Sequence, residues 1–234
     1  MLGVALVLST VCVQASQSSD VFSSVNSNNS AVNNPENGAQ SDSYISVPLS
    51  WANTSHPERA AWSAYLERII ISDWNTLLAG ADDVATFCPR YTSLSNDQRA
   101  NFWAMLFSAM SKYESDFNPL SRLRETTLGK DEVTAKSVYS EGLLQLSYGD
   151  IVSYPFCQFD WNKDKALSPT NPKKTILQPD INLYCGVGIM AKQIQHKGSI
   201  TVGTDAYWEV LKSNSKNNKI KDIAAITQAL PFCK

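Results

Sequence analysis

The sequence predicts a mainly α-helical fold with a single globular domain, and three observations support this prediction. From about residue 57 onward, apolar residues recur at spacings of three and four, which is the helical period. No segment alternates between apolar and polar residues for long enough to require a large sheet. With 234 residues, 43% of them hydrophobic, the chain is long enough to bury one core.

The first predicted helix follows a cap at Thr54 or Ser55, with Pro57 in its first turn. Its apolar face would consist of Trp62, Leu66, Ile69, Ile70 and Trp74.

The second predicted helix begins at the capping-box pattern Ser95-Asn96-Asp97-Gln98. It should end near Glu114, because Asn118-Pro119 cannot continue a helix. Its apolar face would consist of Phe102, Leu106, Met110 and Tyr113.

The middle of the chain is less regular. A polar stretch from Ser121 to Tyr139 shows no sustained period, and Gly142 to Gln145 opens a short helix or turn. A brief helix is expected from Asp150 to Tyr154, and a loop around Pro169, Pro172 and Pro179.

Three helices are predicted in the last third. One starts at Asp180 and stops at Gly198, after the basic turn His196-Lys197. Thr204 would cap the next, which runs through Leu211, and the isoleucines from Ile220 to Ile226 mark the last.

The N-terminal region predicts export. Residues 1–15 form a short apolar stretch ending in Val13-Gln14-Ala15, a small-residue cleavage site of a signal peptide, although no basic residue precedes Arg59. A lipidation motif around Cys12 is the alternative, but Val11 is too large for it. Residues 16–50 are rich in Ser and Asn and predict a disordered linker, so the folded domain would span 51–234. We expect a secreted or periplasmic protein.

Composition excludes several classes of protein. Twenty basic and 22 acidic side chains give a net charge of −2, which argues against a nucleic-acid binder. No apolar run reaches the about 18–20 residues of a transmembrane helix. Two histidines and no Cys-x-x-Cys pattern exclude most zinc sites, and we expect no metal or organic cofactor and a monomer.

Four cysteines remain after removal of the signal peptide: Cys88, Cys157, Cys185 and Cys233. In an exported chain they suggest two disulfides, for which three connectivities are possible. We expect Cys157 with Cys185 and Cys88 with Cys233; the alternative is free, buried cysteines.

A carboxylate is the best candidate for acid–base chemistry. Neither His56, beside the linker, nor His196, at a helix end, suits a Ser–His–Asp site, and no Gly-x-Ser-x-Gly motif or phosphate loop occurs. Glu114 ends an apolar helix, where partial desolvation would raise its pKa toward the range of a proton donor. The alternative is an ordinary solvated glutamate at a helix end.

Three motifs in order resemble the lytic transglycosylase (SLT) and goose-type lysozyme superfamily. Tyr113–Pro119 is similar to its Glu-Ser motif, Gly142-Leu143-Leu144-Gln145 to its Gly-Leu-Met-Gln signature, and Asp180–Gly186 to its Asn-x-x-x-Gly helix start. Ala206-Tyr207 is a weaker fourth match. The resemblance covers about residues 95–212.

This resemblance implies an α+β lysozyme-like fold, a peptidoglycan substrate and Glu114 as the catalytic acid/base. In members of the transglycosylase type, one Glu protonates the glycosidic oxygen between N-acetylmuramic acid (MurNAc) and N-acetylglucosamine (GlcNAc). It then activates the sugar's own C6 hydroxyl, and a 1,6-anhydro ring closes. Non-hydrolytic cleavage of this kind is the expected activity.

Further roles are expected for other residues in these motifs and near them. Ser115 would contact the acid or the substrate, or else only its own helix backbone. Gly142, Asn182 and Gly186 would serve packing. Substrate contacts are expected from Gln145, Tyr207, Tyr148 and Glu141, and sugar stacking also from Tyr154, Trp161 and Trp208, with core packing as the alternative for the aromatic residues.

The sequence also departs from the family's pattern. Gln145 lies 31 positions after Glu114, so Ser121–Tyr139 is interpreted as an insertion. Ser147 stands where goose-type lysozymes often carry an Asp, and Trp208-Glu209 replaces the usual residues after the Tyr. The insertion and its flank supply four candidates for a second carboxylate that would hold a water molecule: Glu125, Asp131, Glu132 and Glu141.

Two alternatives to transglycosylation therefore stay open. A second carboxylate would make the protein a hydrolytic lysozyme. A groove without catalysis would make it a cell-wall binding module, although the retained Glu114 argues against this.

Overall fold

The computed structural model describes residues 44–234, and its regular structure is mostly α-helix. The helices are Arg59–Ser72 (α1), Val84–Phe87 (α2), Asn96–Ser115 (α3), Asp150–Ser153 (α4), Trp161–Asp164 (α5), Pro179–Lys197 (α6) and Ile220–Gln228 (α7). Two short strands, Arg122–Arg124 (β1) and Tyr139–Glu141 (β2), form one antiparallel pair. The 3₁₀ turns are Asn75–Ala79, Tyr91–Ser93, Thr175–Leu177, Glu209–Leu211 and Pro231–Cys233. The prediction of a mainly helical single domain is confirmed for this part of the chain.

Helix α3 is the central element of the domain. Ser95 caps it, accepting from the backbone N–H of Gln98 while the Gln98 side chain accepts from the Ser95 N–H. Its residues are buried on all sides from Ala100 to Ser111, as expected for a helix with other elements packed around it. Helices α1 and α7 pack against it. Tyr113, placed on the apolar face by the sequence pattern, is instead exposed near the end of the helix.

Helix α6 has the bounds that its sequence signals predict, within one residue. Pro179 occupies its first position, and Gly198 ends it in the left-handed region at φ 73°. It packs against α1, and Asn182 in its first turns bonds to the Leu144 N–H of the site described below.

The hairpin of β1 and β2 starts within the predicted insertion, Ser121–Tyr139, and ends just beyond it at Glu141. Arg122 pairs with Glu141 and Leu123 with Ser140. Side chains of a strand alternate between its two faces, so Ser140 and Glu141 point to opposite sides of the hairpin.

Two of the helix starts predicted from sequence are wrong. No helix begins at Thr204; only the 3₁₀ turn Glu209–Leu211 forms there, because the indole of Trp208 is held by the carbonyl of Leu144, 2.9 Å away. Helix α1 begins at Arg59, later than a cap at Thr54 or Ser55 would give, and Ser55 lies in a turn closed by Asn53.

Both expected disulfides are present. Cys88 pairs with Cys233 across 145 residues, and Cys157 pairs with Cys185 across 28. The first joins the end of α2 to the C-terminus, and the second joins the segment after α4 to α6.

The folded unit begins earlier than residue 51. The backbone N–H and C=O of Val47 both bond to the side chain of Asn101 on α3, and Leu49 is buried. The end of the predicted linker, residues 44–50, is therefore part of the domain. The predicted signal peptide, 1–15, and the rest of the linker lie outside the described residues. No helix within residues 44–234 has the length and apolarity to cross a membrane.

Candidate active site

Glu114 lies in the last turn of α3, just before the chain reverses. Asp116 and Phe117, which follow the helix, both adopt left-handed backbone conformations, at φ 52° and 62°. Glu114 is half-buried, and its Oε1 is buried without a hydrogen-bond partner among residues 44–234. Burial, together with the negative charges of Glu125 and Glu209, raises the pKa of Glu114 to about 7. At neutral pH this carboxyl group can therefore either give or take a proton.

Glu125 is the residue of the insertion that approaches Glu114. It follows β1 directly, and the hydroxyl of Ser140 on β2 donates a hydrogen bond to its Oε1. Of the four carboxylates suggested as a second acid, Glu125 is the one whose charge raises the pKa of Glu114. The other three lie elsewhere: Asp131 binds backbone N–H groups, Glu132 is exposed and Glu141 is in a buried ion pair.

The Gly142–Gln145 turn is held by Asn182 of α6. The Asn182 Oδ1 accepts from the Leu144 N–H at 2.9 Å, and its Nδ2 donates to the carbonyls of Glu141 and Ile176. Gly142 has φ 82°, and a Cβ there would lie 2.3 Å from the Asn182 Nδ2. Gly142 and Asn182 therefore pack directly against each other, and Asn182 holds the turn to α6.

Gly186 allows the closest approach of α6 to the same turn. A Cβ at this position would lie 2.3 Å from Cδ1 of Leu144, which is fully buried. This contact requires a glycine at position 186, four residues after Asn182.

Ser115 links α3 to the turn. Its hydroxyl donates to the carbonyl of Leu143 at 2.9 Å and to that of Ser111 at 3.1 Å, so it bonds to backbone groups on both elements. This geometry gives Ser115 a positioning role next to Glu114. Gln145 also binds within the turn: its Nε2 donates to the Gly142 carbonyl at 2.8 Å, and its backbone is left-handed at φ 51°.

Tyr207 lies on the Glu114 side of the domain and bonds to a residue that the sequence reading missed. Its hydroxyl donates to Oδ2 of Asp150 at 2.6 Å, and the same oxygen accepts from the Ser147 N–H at 2.7 Å. Burial and the charges of Asp150 and Glu114 raise the pKa of Tyr207 well above its usual value. Burial also raises the pKa of Asp150. Asp150 at the start of a short helix is an ordinary pattern, so the sequence alone gave no signal of this contact.

Tyr148 and Glu141 are not brought together with Glu114. Tyr148 is buried, and its hydroxyl donates to Asp164 at 2.8 Å. Glu141 is buried on the other side of β2, where it is paired with Lys174 at 2.5 Å. Trp208 is also in the core, so for Tyr148 and Trp208 the structure favours the packing alternative.

Comparisons with known proteins give one group of similar structures. No family model and no curated protein sequence matches the chain. A structure of Bd0314 DslA, wild-type form 2, has a TM-score of 0.64 and 28% sequence identity, over 81% of this chain and 98% of that one. Two DslA mutants, with Gln in place of Glu at positions 143 and 154 of that protein, each have a TM-score of 0.62 and 28% identity, over 76% of this chain and 93% of theirs.

Proposed function

We propose that this protein cleaves the glycan strands of peptidoglycan between MurNAc and GlcNAc, with Glu114 as the acid/base. The observation that carries the proposal is the state of the Glu114 carboxyl: half-buried, unpartnered at Oε1 among the described residues, and with its pKa raised to about 7. The ordered motifs around it, which resemble those of lytic transglycosylases and goose-type lysozymes, supply the substrate class.

The chemistry requires one group that first gives a proton and then takes one. A protonated Glu114 donates to the glycosidic oxygen while positive charge develops on the sugar ring. The resulting carboxylate then serves as base toward the nucleophile that completes the cleavage. A pKa near 7 suits both steps, because neither protonation state is rare at neutral pH.

The second carboxylate favours hydrolysis over formation of the anhydro ring. Glu125 comes from the insertion and is fixed by Ser140 close enough for its charge to act on Glu114. A carboxylate at this position would orient a water molecule for attack on the sugar. Without it, the substrate's C6 hydroxyl would be the nucleophile, as in the transglycosylases.

The comparison with DslA supports the choice of these two residues. The two Glu positions replaced by Gln in DslA are eleven residues apart. Glu114 and Glu125 have the same separation in this chain. We therefore treat Glu114 and Glu125 as a functional pair.

An extracytoplasmic location fits this activity. Two disulfides form and persist in oxidising compartments, and the substrate is a cell-wall polymer. We propose that the protein is secreted or periplasmic.

Digestion of purified sacculi tests the proposal. Wild-type protein should release soluble fragments, and Glu114→Gln should release none while unfolding at an unchanged or higher temperature. Glu132→Gln, on the exposed part of the insertion, is the matched control and should retain full activity. Activity of Glu114→Gln equal to wild type would refute the mechanism, and wild-type binding to sacculi without release of fragments would indicate a binding module.

Mass spectrometry of the fragments separates the two reactions. Hydrolysis leaves a reducing MurNAc end, which is heavier by one water than a 1,6-anhydro end. If Glu125 orients a water molecule as proposed, the products of the wild-type protein carry reducing ends. Products with anhydro ends would instead assign the transglycosylase reaction.

A further inference from the structure

A cavity lies on the face of the hairpin that points away from Glu125. Ser140 of β2 faces Glu125, whereas Glu141 and its neighbour Arg122 on β1 face this cavity. Its volume is about 120 Å³. Its polar and aromatic walls include Arg122, Lys136, Lys174, Asp164, Tyr148 and Trp161.

Asp164 brings an unused acceptor to this cavity. The side chain is 1% exposed. Its Oδ2 accepts from the Tyr148 hydroxyl at 2.8 Å and from the Thr175 N–H and hydroxyl at 2.8 and 2.5 Å. Its Oδ1 is equally buried but accepts no hydrogen bond from any residue in 44–234. A buried carboxylate oxygen without a donor is costly, so a donor from a bound molecule would stabilise it.

Arg122 brings an unused donor to the same cavity. Its Nε is buried and makes no hydrogen bond within the described part of the chain, although Oε2 of Glu141 lies 3.4 Å away. The guanidinium group stacks on Tyr139, with its carbon 3.2 Å from the ring centroid. This stacking fixes the group in place beside the cavity.

Among the charged side chains that line the cavity, one carboxylate oxygen has no donor, and cations outnumber carboxylates. Glu141 is neutralised by Lys174 at 2.5 Å, and Asp131 is satisfied by three backbone N–H groups. Lys136 has its ammonium 4.9 Å from the centroid of the Trp161 ring. The full lining holds four cations and three carboxylates: Arg122, Lys136, Lys165 and Lys174 against Asp131, Glu141 and Asp164. The lining therefore carries a net positive charge of one, which disfavours a bound metal ion.

We propose that this cavity binds a small zwitterion of the α-amino-acid type. The ligand's ammonium group would donate to Oδ1 of Asp164, and its carboxylate would face Lys136 and Arg122. A short side chain would contact the Trp161 and Tyr148 rings. The cavity has room for several water molecules, which suits a ligand the size of alanine.

The zwitterion could come from two sources. One is a free amino acid. The other is the free ammonium-and-carboxylate end of a diamino acid in a cell-wall peptide. Binding itself is independent of the activity proposed for Glu114, because the two sites are on opposite faces of the hairpin.

Titration of the full chain with four small probes tests the proposal. D-alanine and L-alanine carry both charged groups, propionate carries the carboxylate alone, and ethylamine carries the ammonium alone. We expect saturable heat in calorimetry for at least one alanine enantiomer, with propionate and ethylamine weaker by at least about tenfold. The indole N–H resonance of Trp161 should shift on binding, and that of Trp62, outside the cavity, should not.

Two variants locate the binding. Lys136→Gln should weaken alanine binding by about tenfold, since it removes a cation from the carboxylate subsite. Lys163→Gln, an exposed lysine of α5 outside the cavity, is the matched control and should bind as wild type. Asp164→Asn should abolish binding, and because it also affects Tyr148 and Thr175, its unfolding transition is measured in parallel.

The outcomes are distinct. Equal affinity for alanine and propionate, no binding by either alanine, or wild-type affinity in a folded Lys136→Gln would each overturn the proposal. A wall tetrapeptide with a free diamino-acid end that binds more tightly than alanine, and loses this advantage when its side-chain amine is acylated, assigns the wall peptide as source. Alanine binding without that advantage assigns a free amino acid.

Discussion

The hydroxyl of Ser140 donates a hydrogen bond to Oε1 of Glu125, and this contact joins β2 to the residue that follows β1. Ser140 is paired with Leu123 in the hairpin, so the position of Glu125 depends on the register of β1 and β2. A one-residue slip of this register would turn Ser140 to the opposite face. The hairpin therefore contributes one of the charges that act on Glu114, although it supplies no residue to the family's motifs.

The pKa of Glu114 should fall in Glu125→Gln. The negative charge of Glu125 is one of the causes that raise this pKa to about 7, and a neutral side chain removes it. Burial, the largest cause, remains, so the pKa stays above its usual value. A carboxyl-carbon NMR titration measures the pKa of Glu114 in this variant, with the exposed substitution Glu132→Gln as the control. An unchanged pKa of Glu114 in Glu125→Gln would show that the Glu125 charge does not act on it.

The contribution of Glu114 to the free energy of unfolding should decrease as the pH rises from about 4.5 to 7. The pKa of Glu114 is raised in the folded state relative to 4.5, so the folded state binds the proton more tightly. Glu114 contributes its full stabilisation below its pKa in the unfolded state, and this stabilisation is lost as the pH rises through its pKa in the folded state. Glu114→Gln cannot ionise, so at pH 8 it should be more stable than wild type by about 2–3 kcal/mol. Urea unfolding at pH 4 and pH 8 measures this; equal pH dependence of both proteins would refute it.

Asn182→Ala should destabilise the protein by about 3 kcal/mol, because it leaves the Leu144 N–H and the Ile176 carbonyl without partners in the core. It also removes one of the two hydrogen bonds to the Glu141 carbonyl, which keeps its bond from the Leu146 N–H. Denaturant unfolding gives the value. Asn217→Ala, at an exposed position, is the matched control and should change the free energy of unfolding by less than about 0.5 kcal/mol. A small effect at Asn182 would mean that the turn is held by other contacts.

Gly186→Ala should cost about 1–3 kcal/mol, since the added methyl group overlaps Leu144. The double variant Gly186→Ala with Leu144→Ala should recover part of this cost, because the smaller side chain makes room. A double-mutant cycle from thermal or urea unfolding measures the coupling. Additive effects of the two substitutions would show that the overlap is relieved elsewhere.

The disulfides should differ in their contribution to stability. Replacing both Cys88 and Cys233 by Ser opens a span of 145 residues and should cost about 5 kcal/mol, whereas the corresponding change at Cys157 and Cys185, which span 28, should cost about 4. Urea unfolding of the two double variants compares them. A larger loss for the Cys157–Cys185 variant would indicate that local packing, not chain closure, dominates.

The long helices could be predicted because their signals are local. The capping box at Ser95 and the glycine at 198 lie at the helix ends they define, and the apolar period between them is long. The hairpin could not be predicted, since strands of three residues show no period. The helix expected after Thr204 was wrong because a contact with Leu144, 64 residues away in sequence, determines the position of Trp208.

The candidate site was predictable where residues belong to a motif and not where they meet only in space. Glu114, Asn182 and Gly186 were identified by sequence pattern. Asp150 was missed because its partner Tyr207 is 57 residues distant. Tyr148 and Glu141 lie near motif residues in the sequence, but their side chains point into the interior, where they bind Asp164 and Lys174.

The left-handed residues after α3 limit where this chain can accept insertions and deletions. Asp116 and Phe117 fix the direction in which the backbone leaves the helix, and a reversed φ at either position would redirect the whole hairpin. By contrast, Gly129, between the strands, has open space around it. Residues added near Gly129 should therefore leave the distance between the two glutamates intact, whereas a single deletion next to Asp116 should separate them.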